Sequence, residues 1–142
     1  MLREFCQSTG YEPGQVFKHD GTTSGGSQRF RDYCSMNCIN RRLLLIGFAL
    51  GLESAKEIAQ ILAVKRDIVH INLAKNNFRD QGVEEIMRVV KYSPNVIHLD
   101  LMQNNITPKG SKKVFKSLIG NSSLISLKMG NIENTHKNKI GI

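Results

Sequence analysis

Ile68-Val69-His70-Ile71-Asn72-Leu73-Ala74-Lys75-Asn76-Asn77-Phe78 returns twenty-eight residues later, without a gap, as Val96-Ile97-His98-Leu99-Asp100-Leu101-Met102-Gln103-Asn104-Asn105-Ile106. Both stretches fit L-x-x-L-x-L-x-x-N-x-L. The second half of each unit keeps the phase, with Gly82, Ile86 and Val90 answering to Gly110, Val114 and Leu118. An alternating stretch is thus followed by apolar residues four apart, which reads as strand, turn, helix. One unit cannot bury both its strand and its helix. Ordering a residue costs roughly 1–2 kcal/mol, while a fully buried aliphatic contributes only about 1.5–3 kcal/mol. Stacked copies supply the missing contacts, so the expected fold is an α/β, right-handed solenoid of about 3.5 repeats. Ile71, Leu99 and Leu127 should form one buried column.

Working outward, 40–67 fits as an earlier copy, with Leu43, Leu45 and Leu50 at strand positions and Ser54, Ile58 and Leu62 at helix positions. It departs from the pattern at Asn40 and at Phe48, which stands where the repeat has Asn, so its turn must be built differently. One period further back, Phe30 and Cys34 fall in helix phase after Gly26, which predicts a capping helix over 27–37. Forward, Leu124, Leu127 and Met129 begin a fourth copy. Its Asn position holds Ile132 and the pattern resumes at Asn138-Lys139-Ile140, an insertion of about six residues. The chain divides into an N-terminal extension, 1–39, and repeats 40–67, 68–95, 96–123 and 124–142, the last incomplete. Its strand should present an open edge, so the pattern anticipates either a chain continuing past Ile142 or completion by a partner. In the extension, Tyr11-Glu12-Pro13-Gly14 reads as a turn and 21–27 as a flexible, small-residue segment. Part of it is expected to lie against the first repeat or another chain.

The 142 residues suit one domain, and the absence of Trp suits a core of stacked aliphatics. The start lacks a secretory apolar stretch, and no run reaches the ~20 residues a bilayer crossing needs, which predicts a soluble, cytoplasmic protein. The one strongly apolar segment, 43–52, is explained by the repeat phase. Cys6, Cys34 and Cys38 are an odd set and read as reduced thiols. A net charge of +8 and a pI near 9.6 should attract acidic partners.

The Leu-rich strands followed by Asn76 or Asn104 and a Gly-led helix at 28-residue spacing resemble leucine-rich repeats of the ribonuclease-inhibitor-like class, over roughly residues 40 to 142. That class includes ribonuclease inhibitor, Ran GTPase-activating protein, tropomodulin-like actin regulators, the recognition arms of innate immune receptors and repeat proteins of cilia and centrosomes. The resemblance implies a partial horseshoe, with parallel strands on the concave face, helices on the convex face, and protein binding as the usual function. Residues between the strand leucines should project from the concave face in columns across strands about 4.8 Å apart. These columns are Arg42, His70, His98 and Ser126; Leu44, Asn72, Asp100 and Lys128; and Ile46, Ala74, Met102 and Gly130. Arg42, Leu44, His70, Asn72, His98, Asp100, Met102 and Lys128 are the expected partner-binding residues.

Other chemistry is weaker. His70, His98 and Asp100 on an open sheet lack the closed geometry of a zinc site, so hydrogen bonding to a partner outranks a shared metal. Cys34-x-x-x-Cys38 with His19 is better read as cap-helix packing. Asn76 and Asn104 belong to a structural ladder that bonds the turn backbone. Gly82 and Gly110 mark the approach to a helix, not a phosphate cradle. No acid–base pair or activated nucleophile emerges from spacing, so catalysis, cofactors, metals and small-molecule substrates are not expected. Lys109, Lys112, Lys113 and Lys116 crowd one exposed helix and suggest an acidic docking partner. The leading expectation is a scaffold in a cytoplasmic, cytoskeletal or ciliary assembly. Alternatives are regulation of a small GTPase, implied by the resemblance to Ran GTPase-activating protein, and nucleic-acid binding through the basic helix, which the lack of interleaved aromatics disfavours.

Overall fold

A computed structural model describes residues 2–10, 24–131 and 137–138. Four short strands lie parallel and in sequence order: β2 (Arg42–Leu44), β3 (His70–Asn72), β4 (His98–Asp100) and β5 (Ser126–Lys128). Helices α3 (Leu52–Val64), α4 (Arg79–Val90) and α5 (Pro108–Ser117) connect them and pack against one another in the second layer. The register pairs Leu43 with Ile71, Ile71 with Leu99 and Leu99 with Leu127, so the repeat period is also the sheet's spacing in space. Leu43, Ile71 and Leu99 are at most 1 % exposed, and Ile58, Ile86 and Val114 meet them from the helices at 2 % or less. Leu127 departs from the expected column: it is only half-buried, because among the described residues no further helix covers it.

At the other end the core is closed by elements outside the repeat. Helix α2 (Ser24–Asn37) buries Phe30, Tyr33 and Cys34. It starts before the expected 27, and residues 24–27, read as flexible, form its first turn. Packing of those three side chains outweighs the poor helix propensity of Gly25 and Gly26. The chain then makes β1 (Cys38–Ile39), antiparallel to β2. Asn40 and Arg41 link them with φ of 52° and 62°, the left-handed pair that a two-residue hairpin turn requires. A short edge strand thus guards the sheet where the repeat breaks phase at Asn40. Helix α1 (Leu2–Thr9) sets Phe5 edge-on to Tyr33 at 5.4 Å, and Tyr33 meets Phe48 edge-on at 6.0 Å. The turn read at 11–14 and residues 21–23 lie outside the described residues.

The asparagine ladder explains how an exposed strand ends and a buried turn begins. Asn76 is fully buried. Its Oδ1 accepts from the amides of Phe48 and Leu50, and its Nδ2 donates to the carbonyls of Leu45, Leu73 and Ala74. Each Asn therefore satisfies the turn of the preceding unit, which is why the first turn tolerates Phe48: Asn76 serves it, and the ring is free to pack on the cap. Asn104 repeats the arrangement for the carbonyls of Leu73, Leu101 and Met102. Asn138 is the third rung, accepting from Asn104 and Ile106 amides and donating to Leu101 and Met129 carbonyls. The ladder skips position 132 for position 138, and Asn131 clasps Asn138 through two bonds of 2.7 and 2.8 Å. Residues 132–136, where the insertion was read, and Lys139 and Ile140 lie outside the described residues.

Gly82 and Gly110 sit inside the first turns of α4 and α5, not on the approach to them. A Cβ at Gly82 would come within 2.9 Å of the Phe78 Cβ and 3.3 Å of the Ala55 Cβ, and one at Gly110 would collide with the Asp80 carboxylate. That carboxylate accepts from the Thr107 amide at 2.8 Å, and Thr107 Oγ1 in turn accepts from Gly110 at the start of α5. Gly82 leaves room for Phe78 and for Ala55 of the preceding helix, and Gly110 leaves room for the Asp80 carboxylate that bonds the start of α5.

Candidate functional site

The strand register brings the polar columns together. Arg42, His70, His98 and Ser126 are mutual neighbours in one row, and Leu44, Asn72, Asp100 and Lys128 in the next. Arg42, His70, Asn72, His98, Asp100 and Lys128 line a shallow depression of about 220 Å³. Leu44 and Ile46 flank it, 37 % and 45 % exposed, while Met102 is half-buried. The row is not uniformly presented. Asp100 is only 7 % exposed, and one of its oxygens accepts from the Met102 amide at 3.0 Å, as Asn72 accepts from Ala74 at 3.1 Å. Both side chains cap strand ends. The charge the face offers outward is therefore that of Arg42 and Lys128, with two imidazoles between them.

The His70 and His98 rings lie 5.5 Å apart, tilted by 43°. Burial, and then the positive Arg42, His98 and Lys128, hold the His70 pKa below its ordinary 6.5, with Asp100 acting against them. The folded chain therefore binds this proton more weakly than the unfolded chain does. His70 contributes stability that is complete above pH 6.5 and lost as pH falls through its lower folded value. Replacing His70 by Asn is expected to flatten the fall in thermal midpoint between about pH 7.5 and pH 5.5. Parallel melting curves for the two proteins across that range would contradict it.

Among the described residues no three His, Cys, Asp or Glu side chains gather as a metal would need, and His19 lies outside them. Cys6, Cys34 and Cys38 are free thiols. Burial first, then the charges of Cys38 and Glu57, push the Cys34 thiol far above its ordinary range, so it sits as a small apolar core group. Asn76 and Asn104 are wholly committed to the ladder. On the helix layer, Lys109, Lys112, Lys113 and Lys116 are all exposed on α5. Lys113 Nζ reaches Glu84 Oε2 of α4 at 2.7 Å, and this bond is the main reason the Glu84 carboxyl is held below its ordinary pKa. Among the described residues, Lys113 is thus the member of the basic patch that is paired across helices. Ile119 and Ile125, which are not among the expected site residues, are 81 % and 80 % exposed. Their repeat phase, just outside the buried positions, was the available signal.

Residues 65–87 and 92–114 match the family described as Leucine Rich repeat. The chain is a leucine-rich-repeat solenoid. The matched units are the two that carry the full asparagine pattern. A solved structure of leiomodin-1 actin-binding site 2 superposes on the solenoid with a TM-score of 0.64, at 20 % identity over 94 % of this chain and 78 % of that one. At that identity the likeness establishes the leucine-rich-repeat fold alone. No curated protein matches the chain.

Proposed function

We propose that this leucine-rich-repeat chain, of the ribonuclease-inhibitor type, is a non-catalytic scaffold that holds an acidic segment of a partner protein across its strand face. The observation that carries the reading is the convergence of Arg42, His70, His98 and Lys128 on one shallow depression, with exposed Leu44 and Ile46 beside it. A flat face of two fixed positive charges, two imidazoles and adjacent aliphatics suits an extended acidic chain better than a small molecule, which needs a concavity that surrounds it. The excess of positive charge over the whole chain would steer such a partner inward. Leiomodin-1 actin-binding site 2, sharing the fold, favours a cytoskeletal setting; the ciliary setting rests on the sequence resemblance. The working assignment is therefore an adaptor in a cytoplasmic assembly, without substrate or cofactor.

The test is affinity purification of the full chain from its source cell with lysine-reactive cross-linking, comparing wild type with the double variant Arg42→Glu/Lys128→Glu. Cross-links from wild-type Lys128 should fall in acidic stretches of the partner, and the double variant should recover at least about tenfold less of it. Equal recovery by both proteins would remove the strand face as the binding site.

A further inference from the structure

The apolar columns that are sealed in the middle of the solenoid open on its last helix and strand. Met87, Val90, Val96 and Leu99 are each 3 % exposed or less. One period later, Phe115 is 49 % exposed, and Leu118, Leu124 and Leu127 are only partly buried. Ile119 and Ile125 of the same last unit are 81 % and 80 % exposed, so six apolar side chains that the repeat would bury or cover lie open at this end, and a concentration of that kind marks a contact site.

The helix layer specifies what would fit there. Neighbouring helices are joined by opposite charges. Arg31 of α2 meets Glu57 of α3 at 3.5 Å. Lys56 of α3 holds its proton mainly through Glu53 on its own helix and additionally through Glu85 of α4, twenty-nine residues on. Glu84 of α4 accepts from Lys113 of α5, again twenty-nine residues on, at 2.7 Å. The position that carries Lys56 and Glu84 thus faces the following helix and meets the opposite sign there. On α5 that position is Lys112. One turn beyond it, Lys116 and Phe115 stand where α4 has Arg88 and Met87, which line a groove of about 390 Å³ whose opposite wall includes Lys113 and Val114 of α5.

We infer that the outer face of α5, formed by Lys112, Phe115, Lys116 and Ile119, docks an amphipathic helix of a partner protein, with an apolar ridge where Val114 meets Met87 and carboxylates where Lys113 meets Glu84. The inference goes beyond the strand-face reading and does not depend on it. A second copy of the chain, stacked face to face about a two-fold axis, would set Lys112 and Lys116 against themselves, whereas an acidic partner helix meets both lysines with the opposite charge.

The test uses the full chain and a stapled, roughly three-turn helical peptide with Leu along one edge and Glu on both sides, beside a counterpart with Lys for Glu. Methyl NMR reports the site. The Glu peptide should shift Ile119, Ile125 and Leu127 while leaving the Leu44 and Ile46 signals of the strand face unmoved. Lys112→Glu/Lys116→Glu should weaken the Glu peptide by about tenfold and strengthen the Lys peptide by a similar factor. Ile119→Asp, an exposed change that leaves the core alone, should abolish both. The inference is overturned if the two peptides bind wild type equally, if neither binds, or if the shifts map to the strand face. Anionic phosphatidylserine vesicles or duplex RNA engaging Ile119 and Phe115 where the Glu peptide does not would overturn it too, in favour of a membrane or nucleic-acid surface.

Discussion

Asn76→Leu should destabilise the chain by about 3 to 5 kcal/mol, read as a lowered urea midpoint at unchanged slope. The carboxamide is fully buried and makes five bonds, two accepted and three donated, between 2.7 and 3.3 Å. Leucine has the same number of side-chain heavy atoms, though bulkier ones, and leaves the Phe48 and Leu50 amides and the Leu45 carbonyl facing apolar surroundings, at about 1–3 kcal/mol for each group that finds no water. Asn76→Asp separates the two halves of the effect. It keeps the acceptor for the two amides, loses the donor and places a carboxylate beside three carbonyls, so its deficit should shrink as the pH is lowered to protonate it. The neighbouring Asn77→Ala should lose the bond that Asn105 Nδ2 donates to Asn77 Oδ1 at 2.7 Å and the long, exposed one from Arg79 Nε at 3.4 Å, and cost about 1 kcal/mol or less. A loss below about 1 kcal/mol for Asn76→Leu would mean that the ladder is replaceable by water and does not hold the turns.

What the sequence disclosed and what it withheld divide along the repeat. Asn76 and Asn104 are recognisable because equal spacing along the chain is equal position in space, and Asn138 can be reached by the same rule once the phase slip at Ile132 is noticed. The His70–His98 and Asp100–Lys128 pairings follow from the same equality. Features that do not repeat stayed hidden. The β1 hairpin runs antiparallel, so no shift of the sequence against itself finds it. The α1 helix is a short segment whose Phe5 is buried against Tyr33, with Cys6 partly buried beside the core. Residues 24–27 look like linker because local propensity says so, and helix α2 wins only through contacts made further along. In the candidate site, phase places Asp100 on the strand face, yet its burial depends on the backbone turning so that the Met102 amide meets its carboxylate. The charge pairs between helices join residues one repeat and one position apart, a relation that needs the helix layer's own geometry.

The same geometry makes the core unequal along its length, and the size of that inequality is the second large effect. Leu99→Ala should cost about 3 to 4 kcal/mol, whereas Leu127→Ala should cost only about 1. The two leucines occupy one repeat position on adjacent strands, so intrinsic propensity and side-chain chemistry cancel in the comparison. Leu99 is 1 % exposed between two strands and two helices, and its removal leaves a cavity that packed neighbours cannot close. Leu127 has the preceding unit on one side and water within reach on the other, so deletion of its methyls removes less buried area and creates no sealed void. Because a solenoid is held by nearest-neighbour contacts, the loss at Leu99 should also raise hydrogen exchange on both β3 and β5, while the loss at Leu127 should stay within β5. Equal costs at the two positions would mean that Leu127 is sealed in solution, and the face on α5 and β5 would then not be open to a partner.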